Sequence, residues 1–205
     1  MRKAFALPIL AAALAGVAAP AGAAATDSDW PCIQRKVPEL SLGQIWNGPD
    51  LPAASAQWQS DKDIADLVEE IAARRVPLAD AQGQIRSYAQ GLKDGRADKL
   101  GMLAAGLFDH MNAERSQIIS GIGRYAHKQA DMAAAVRKEA AELDQLRAKP
   151  DASATEITDR TDRLNWDTRI FEERVQSLSY VCEVPTLIEQ RLFQLSKTVA
   201  EEMKR

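Results

Sequence analysis

Leu100-Gly101-Met102-Leu103-Ala104-Ala105-Gly106-Leu107-Phe108-Asp109-His110-Met111 opens a proline-free run, from about Gly95 to Lys149, that keeps apolar residues at a helical interval. After Leu100, Leu103, Leu107 and Met111, the stripe continues through Ile118, Ile122, Tyr125, Met132, Val136, Leu143 and Leu146. Steps of three and four with a mean of about 3.6 define one face of an α-helix. At about 1.5 Å per residue the helix would be roughly 80 Å long, more than any single domain of this chain could span. Part of it is therefore expected to project.

Downstream, Ala148-Lys149-Pro150-Asp151 stops the helix, and Ser153 with Glu156 three residues later forms a capping box for the next. In that helix Ile157, Leu164, Phe171 and Leu178 repeat every seven residues, with Thr161, Thr168, Val175 and Cys182 as a companion row. This is a heptad pattern, polar in places. After Pro185 the frame shifts to Ile188, Leu192, Leu195 and Val199. A short turn makes the two helices antiparallel neighbours, and residues whose numbers total roughly 303 should face each other. Cys182 and Pro185 then fall opposite Gly121 and Ile118. Gly121 and Gly123 each cost about 1 kcal/mol inside a helix. They are expected either to admit a second backbone at this junction or to be tolerated surface positions.

Upstream lie two ordinary helices. Ser60-Asp61-Lys62-Asp63 reads as a start with Ser60 as N-cap, and Ile64, Leu67, Val68 and Ile71 give one apolar face. Pro77 begins the second, which runs from about Leu78 to Leu92. The prediction is an all-α protein: a helical bundle (60–125 and 178–205) with a long antiparallel coiled-coil hairpin whose arm (126–177) projects. The arm's seam is thin, with Gln129, Ala133, Ala140, Thr161 and Thr168 in or beside it.

Residues 26–59 read as an extended belt. Pro31, Pro38, Pro49 and Pro52 bias the chain away from helix. Trp30, Trp46 and Trp58 are expected to anchor it, because an indole offers about 200 Å² to bury. The first 25 residues have the layout of a secretory signal: Met1-Arg2-Lys3, an apolar run from Ala4 to Ala19, then small residues up to Ala25. An uncleaved membrane anchor is the alternative. Cleavage would take the formal charge from −3 to −5 by removing Arg2 and Lys3. The periplasm is the expected address, with no stable membrane insertion after cleavage. The chain's two cysteines, Cys32 and Cys182, are then expected to form a disulfide, the alternative being two separate buried thiols.

The segments Asp29-Trp30-Pro31-Cys32-Ile33-Gln34, Val37-Pro38-Glu39-Leu40-Ser41 and Trp46-Asn47-Gly48-Pro49 together resemble the start of a group of exported, uncharacterised proteobacterial helical proteins. The resemblance covers about a tenth of the chain. It implies a periplasmic address and a Trp/Pro-rich opening segment, and it carries no catalytic assignment.

The chemistry on offer is sparse. No basic run is long enough to displace counterions from phosphates, so nucleic acid is not an expected partner. Only two histidines occur, His110 and His127. His110 with Glu114, and His127 with Asp131, are single one-turn pairs, whereas a metal site needs a second pair from another element. His110 is expected to face the region of Phe193, which supplies none. No metal, cofactor or catalytic residue is predicted. No nucleophile elbow or glycine-rich phosphate loop is present, and the carboxylates alternate with Lys and Arg as solvated helix pairs. Met102, Met111 and Met132 have the spacing of core filling. The expected function is a non-enzymatic periplasmic interaction or scaffold protein with a protein partner, self-association being open. The alternative is a periplasmic helical chaperone, and behind it a ligand- or metal-binding sensor.

Overall fold

Helices α4 (Arg96–Arg147) and α5 (Ala154–Met203), of 52 and 50 residues, form an antiparallel hairpin that dominates the structure. The computed structural model describes residues 30–205, in which α1 (Leu42–Ile45), α2 (Lys62–Ala72) and α3 (Leu78–Gly91) precede the hairpin, with a 3₁₀ segment at Ala53–Ser60. The signal segment 1–25 and residues 26–29 of the belt lie outside the described residues. The described chain is all-α.

Local chemistry explains the hairpin's ends. Helix α4 begins at Gly95, whose φ of 62° is a left-handed conformation open mainly to glycine. The turn closes through Lys149 N–H to Leu146 O (3.1 Å) and Ala152 N–H to Lys149 O (3.3 Å). Ser153 Oγ then accepts from Glu156 N–H at 3.4 Å, as the capping pattern predicts. The register is the one a turn near Asp151 imposes: Arg160 reaches Glu142 at 3.7 Å and Arg115 reaches Glu189 at 3.6 Å. Pro185 does not interrupt α5. The proline is buried within one continuous helix, and beyond it Ile188, Leu192, Leu195 and Val199 are fully buried, as the shifted frame predicts.

The bundle is built on the open half of the hairpin. Helix α2 and the 3₁₀ segment pack on α4, and α3 packs on α5. Ile64, Val68 and Ile71 from α2, and Ala81, Ile85 and Ala89 from α3, meet Leu100, Leu103, Leu107 and Met111 of α4 and Ile188, Leu192, Leu195 and Val199 of α5. Each fully buried large side chain contributes about 1.5–3 kcal/mol, so this cluster is the main source of stability.

Three arginines join the elements. Arg191 Nη2 donates to Ile71 O (2.7 Å), a free carbonyl in the last turn of α2. Arg96 donates to Ala89 O of α3, to Glu202 O (2.9 Å) and to Glu202 Oε2 (3.1 Å). Helix C-termini leave carbonyls without intrahelical partners, and guanidinium groups supply the missing donors. Arg115 does the same for the belt, donating to Val37 O at 2.7 Å. Burial holds the Arg115 and Arg191 guanidinium groups below their usual pKa.

Three expectations need correction. The N-cap of α2 is Asp61, whose Oδ1 accepts from Ile64 N–H at 3.2 Å, and Ser60 ends the preceding 3₁₀ segment. The belt is not wholly extended, since α1 and the 3₁₀ segment are helical turns within it. On the inner face of α4, Arg115 and Ile119 are buried and Ile118 only partly so. For the junction glycines the second of the two expectations fits: a Cβ on Gly123 would meet nothing within 4 Å, and one on Gly121 only Arg124 Nη2 at 3.7 Å, so no backbone approaches there. Close approach occurs at Gly101 and Gly106. A Cβ on Gly106 would stand 2.8 Å from Val68 Cγ2 and 2.9 Å from the Trp58 ring, and one on Gly101 2.5 Å from Ser55 Oγ.

Gly106→Ala is expected to destabilise the protein by about 1–3 kcal/mol through overpacking, whereas Gly123→Ala should stabilise it by about 0.5–1 kcal/mol; urea unfolding of the two variants checks both signs. Asp61 also pairs with Lys99, and this hydrogen bond, more than any other influence, holds the Asp61 carboxyl below its usual pKa. A depressed carboxylate contributes stability above its unfolded pKa and loses it as pH falls through the folded value. Asp61→Asn keeps the cap but not the charge. Its deficit against the native chain should therefore be present at neutral pH and vanish below the ordinary carboxylate range, as read by thermal unfolding across pH.

Candidate functional site

The belt, the disulfide and the arm meet at one level of the hairpin. Cys32 and Cys182 are bonded, with Cα atoms 5.5 Å apart, and the bond closes a sequence separation of 150. In the chain-entropy account such a closure is worth on the order of 4–5 kcal/mol. From Cys32 the belt turns along the bundle half of α4. Arg115 holds Val37 O, Ser116 Oγ donates to Pro38 O (2.8 Å), and Asn112 Oδ1 accepts from Leu40 N–H (3.0 Å). A segment without ladder hydrogen bonds must find partners for its backbone elsewhere, and residues 112–116 provide them.

The three tryptophans are not equivalent anchors. Trp58 is buried against Gly106, and its Nε1 donates to Asp109 Oδ2 at 3.0 Å. Trp46 packs on the edge of the core, with Nε1 bonded to Pro49 O at 2.7 Å. Trp30 stays outside the core cluster and bonds within the belt, to Gln34 O at 2.5 Å. Of the junction residues, Pro185 is buried beside the disulfide, while Gly121 and Gly123 are open positions.

Beyond the junction the hairpin is bare. The core cluster contains no residue between Ile118 and Val184. From Ala126 to Arg147 only Gln129 and Leu143 are buried, and from Ala154 to Val181 none is. Cross-helix polar contacts take over. Arg160 lies 3.7 Å from both Glu139 and Glu142, and Arg147 Nη2 donates to Thr161 Oγ1 at 2.9 Å. Exposed pairs of this kind contribute about 0–1 kcal/mol each. Near the base, Gln129 Nε2 donates to Tyr125 Oη (3.1 Å), which donates on to Arg174 O (3.3 Å), while Gln129 Oε1 is buried without a partner.

The bare half carries exposed apolar side chains and a groove. On α5, Trp166 is 62% and Tyr180 75% exposed, with Val175 and Val181 also exposed. On one face of the arm Met132, Ala135, Val136 and Leu164 line an open groove of about 410 Å³, rimmed by Asp131, Glu139, Arg163 and Asp167. In the sequence Asp131 figures only as a metal-pair partner of His127 and Met132 only as core filling, because a thin seam reads as weak packing and not as a groove.

His110 and Glu114 share a different, polar groove with Glu69, Arg74 and Arg75 at the end of α2. Arg74 pairs with Glu114 at 3.6 Å. Among the described residues no three His, Cys, Asp or Glu side chains converge as metal ligands, and no helix is long and apolar enough to cross a membrane. Comparison with family models, curated proteins and solved structures finds no match to this chain.

Gln129→Leu replaces a buried, half-satisfied amide by an apolar group of similar length. It is expected to raise stability by about 1 kcal/mol. A urea midpoint that falls instead would make the Tyr125–Gln129 chain essential to the hairpin's register.

Proposed function

We propose that this is a non-enzymatic interaction or scaffold protein of the periplasm that engages a protein partner through its projecting arm, the two arm helices pairing as an antiparallel coiled coil. One observation carries the reading: the core ends at the disulfide level, yet both helices continue for some 25–30 residues with almost nothing buried. Chain that adds little to the stability of its own fold, yet is kept helical and rigidly mounted, suits contact with another molecule. Its exposed Trp166, and Tyr180 just below it at the junction, are residue types over-represented among binding hot spots. The basic, apolar and small-residue opening of the sequence supports export, and the disulfide fits an oxidising compartment.

A second reading is a periplasmic helical chaperone, favoured by the apolar side chains exposed along α5 from Trp166 through Tyr180 to Leu187. Aggregation of a denatured client separates the two: suppression near equal stoichiometry supports the chaperone, and no effect at about tenfold excess removes it.

Deleting residues 129–168 and joining the stubs with a short turn is expected to leave a folded monomer that keeps the Cys32–Cys182 bond and the bundle's cooperative melt. A truncated chain that unfolds would show that the arm belongs to the core and end the docking reading.

A further inference from the structure

The arm's groove has a chemical character that narrows its partner. Its floor is apolar, with Met132, Ala135 and Val136 on α4 facing Leu164 on α5. Its rim is acidic, because Asp131, Glu139 and Asp167 stand against Arg163 alone. Arg163 is itself drawn to Asp167, Nε to Oδ2 at 3.9 Å. Toward the tip a second depression continues the first, adding Glu142 and Asp159 and one further cation, Arg160. That cation is shared among Glu139, Glu142 and Glu156 at 3.4–3.7 Å. Along the two depressions, five carboxylates face two guanidinium groups that are already engaged, and one of the five, Glu142, also pairs with Lys138 at 3.8 Å from outside the cleft.

The groove follows the cleft between two antiparallel helices, so its geometry matches a third helix. From Asp131 to Glu142 the cleft runs about 16 Å, or three helical turns. An amphipathic helix presents apolar anchors at i, i+3/i+4 and i+7 on one face, the pattern of helix-in-groove recognition. The unbranched Met132 adapts to differently shaped anchors. Charge decides the flanks of that helix: Lys or Arg beside the apolar stripe would meet the carboxylate rim, and Asp or Glu would be repelled. A second copy docked groove to groove about a two-fold axis is disfavoured, since antiparallel overlap sets the Asp131/Asp167 end of one groove against the Glu139 end of the other.

We infer that the groove between α4 and α5 of the arm is a docking site for a cationic amphipathic helix of a partner protein, which completes the bare hairpin as a three-helix bundle. The inference rests on the reading of the arm as the interaction element and specifies the partner's chemistry.

Fluorescence anisotropy on the full chain tests it with three labelled peptides: a Leu/Lys amphipathic helix, a scramble of the same composition without an apolar face, and a Leu/Glu amphipathic helix. The Leu/Lys helix is expected to bind at least about tenfold tighter than either control, with an affinity that falls as salt rises. Glu139→Lys with Asp167→Lys changes two partly exposed rim residues and should leave the helical circular dichroism intact. It should weaken the Leu/Lys helix by at least about tenfold and favour the Leu/Glu helix. Equal binding to the scramble, no binding, or binding indifferent to the double substitution would overturn the inference. So would light scattering that shows a dimer of the native chain lost in the double variant, which would assign the groove to a second copy. The arm-deleted bundle keeps the two levels apart. Its unfolding removes the docking reading itself, whereas a folded bundle that still binds the Leu/Lys helix as tightly removes only this inference.

Discussion

The structure turns on a mismatch of lengths. Two helices of 52 and 50 residues, each about 75–78 Å long, are tied into a hairpin, and the chain left to cover them comprises a belt and two helices of 11 and 14 residues. Helical hydrogen bonds satisfy nearly all of the backbone of the long pair, Pro185 alone supplying no donor to the preceding turn within α5, but burial of apolar surface is available only where other elements arrive. All of them are spent on the open half. Core packing therefore stops near Ile118 and Val184, at the level of the disulfide, and the closed half stands as a pair of helices joined by short side chains and surface ion pairs.

What holds the covered half together is largely the satisfaction of carbonyls. Arg191 takes the end of α2, Arg96 the ends of α3 and α5, and Arg115 the belt. Each guanidinium reaches a free acceptor from a different element, so the bundle is cross-linked by donors as well as by apolar contact. The disulfide adds a covalent link at the boundary between the covered and bare halves. A rigid base under a thinly packed arm is the mechanical outcome, and it places the groove of Met132, Val136 and Leu164 well away from the core.

Much of this was legible in the residues. The period of the apolar stripe, the stop at Pro150, the Ser153 cap and the even cysteine count depend on local rules, and the hairpin and its disulfide follow from them. The misreadings share a cause. Arg115 fills a buried helix position that a hydrophobic pattern skips, because its guanidinium finds an acceptor in a carbonyl 78 residues away and a counter-charge in Glu189 of α5. Gly101 and Gly106 matter because the Ser55 and Trp58 side chains occupy the space a Cβ would need, whereas a Cβ on Gly121 or Gly123, glycines no different in sequence, would meet almost nothing. Asp61 displaced Ser60 as the cap of α2, and it also pairs with Lys99 of α4, a partner that no local pattern names.

The sequence by itself determined the helices, their antiparallel pairing and the partners in the disulfide, since periodicity, capping and cysteine chemistry act over a few residues or leave one choice. Tertiary structure alone decided which glycines are contact points, that Arg115 is buried, and where the apolar floor and acidic rim of the arm meet. Those features are made by side chains distant in sequence and brought together by the hairpin's register, and a one-dimensional pattern contains no term for that distance.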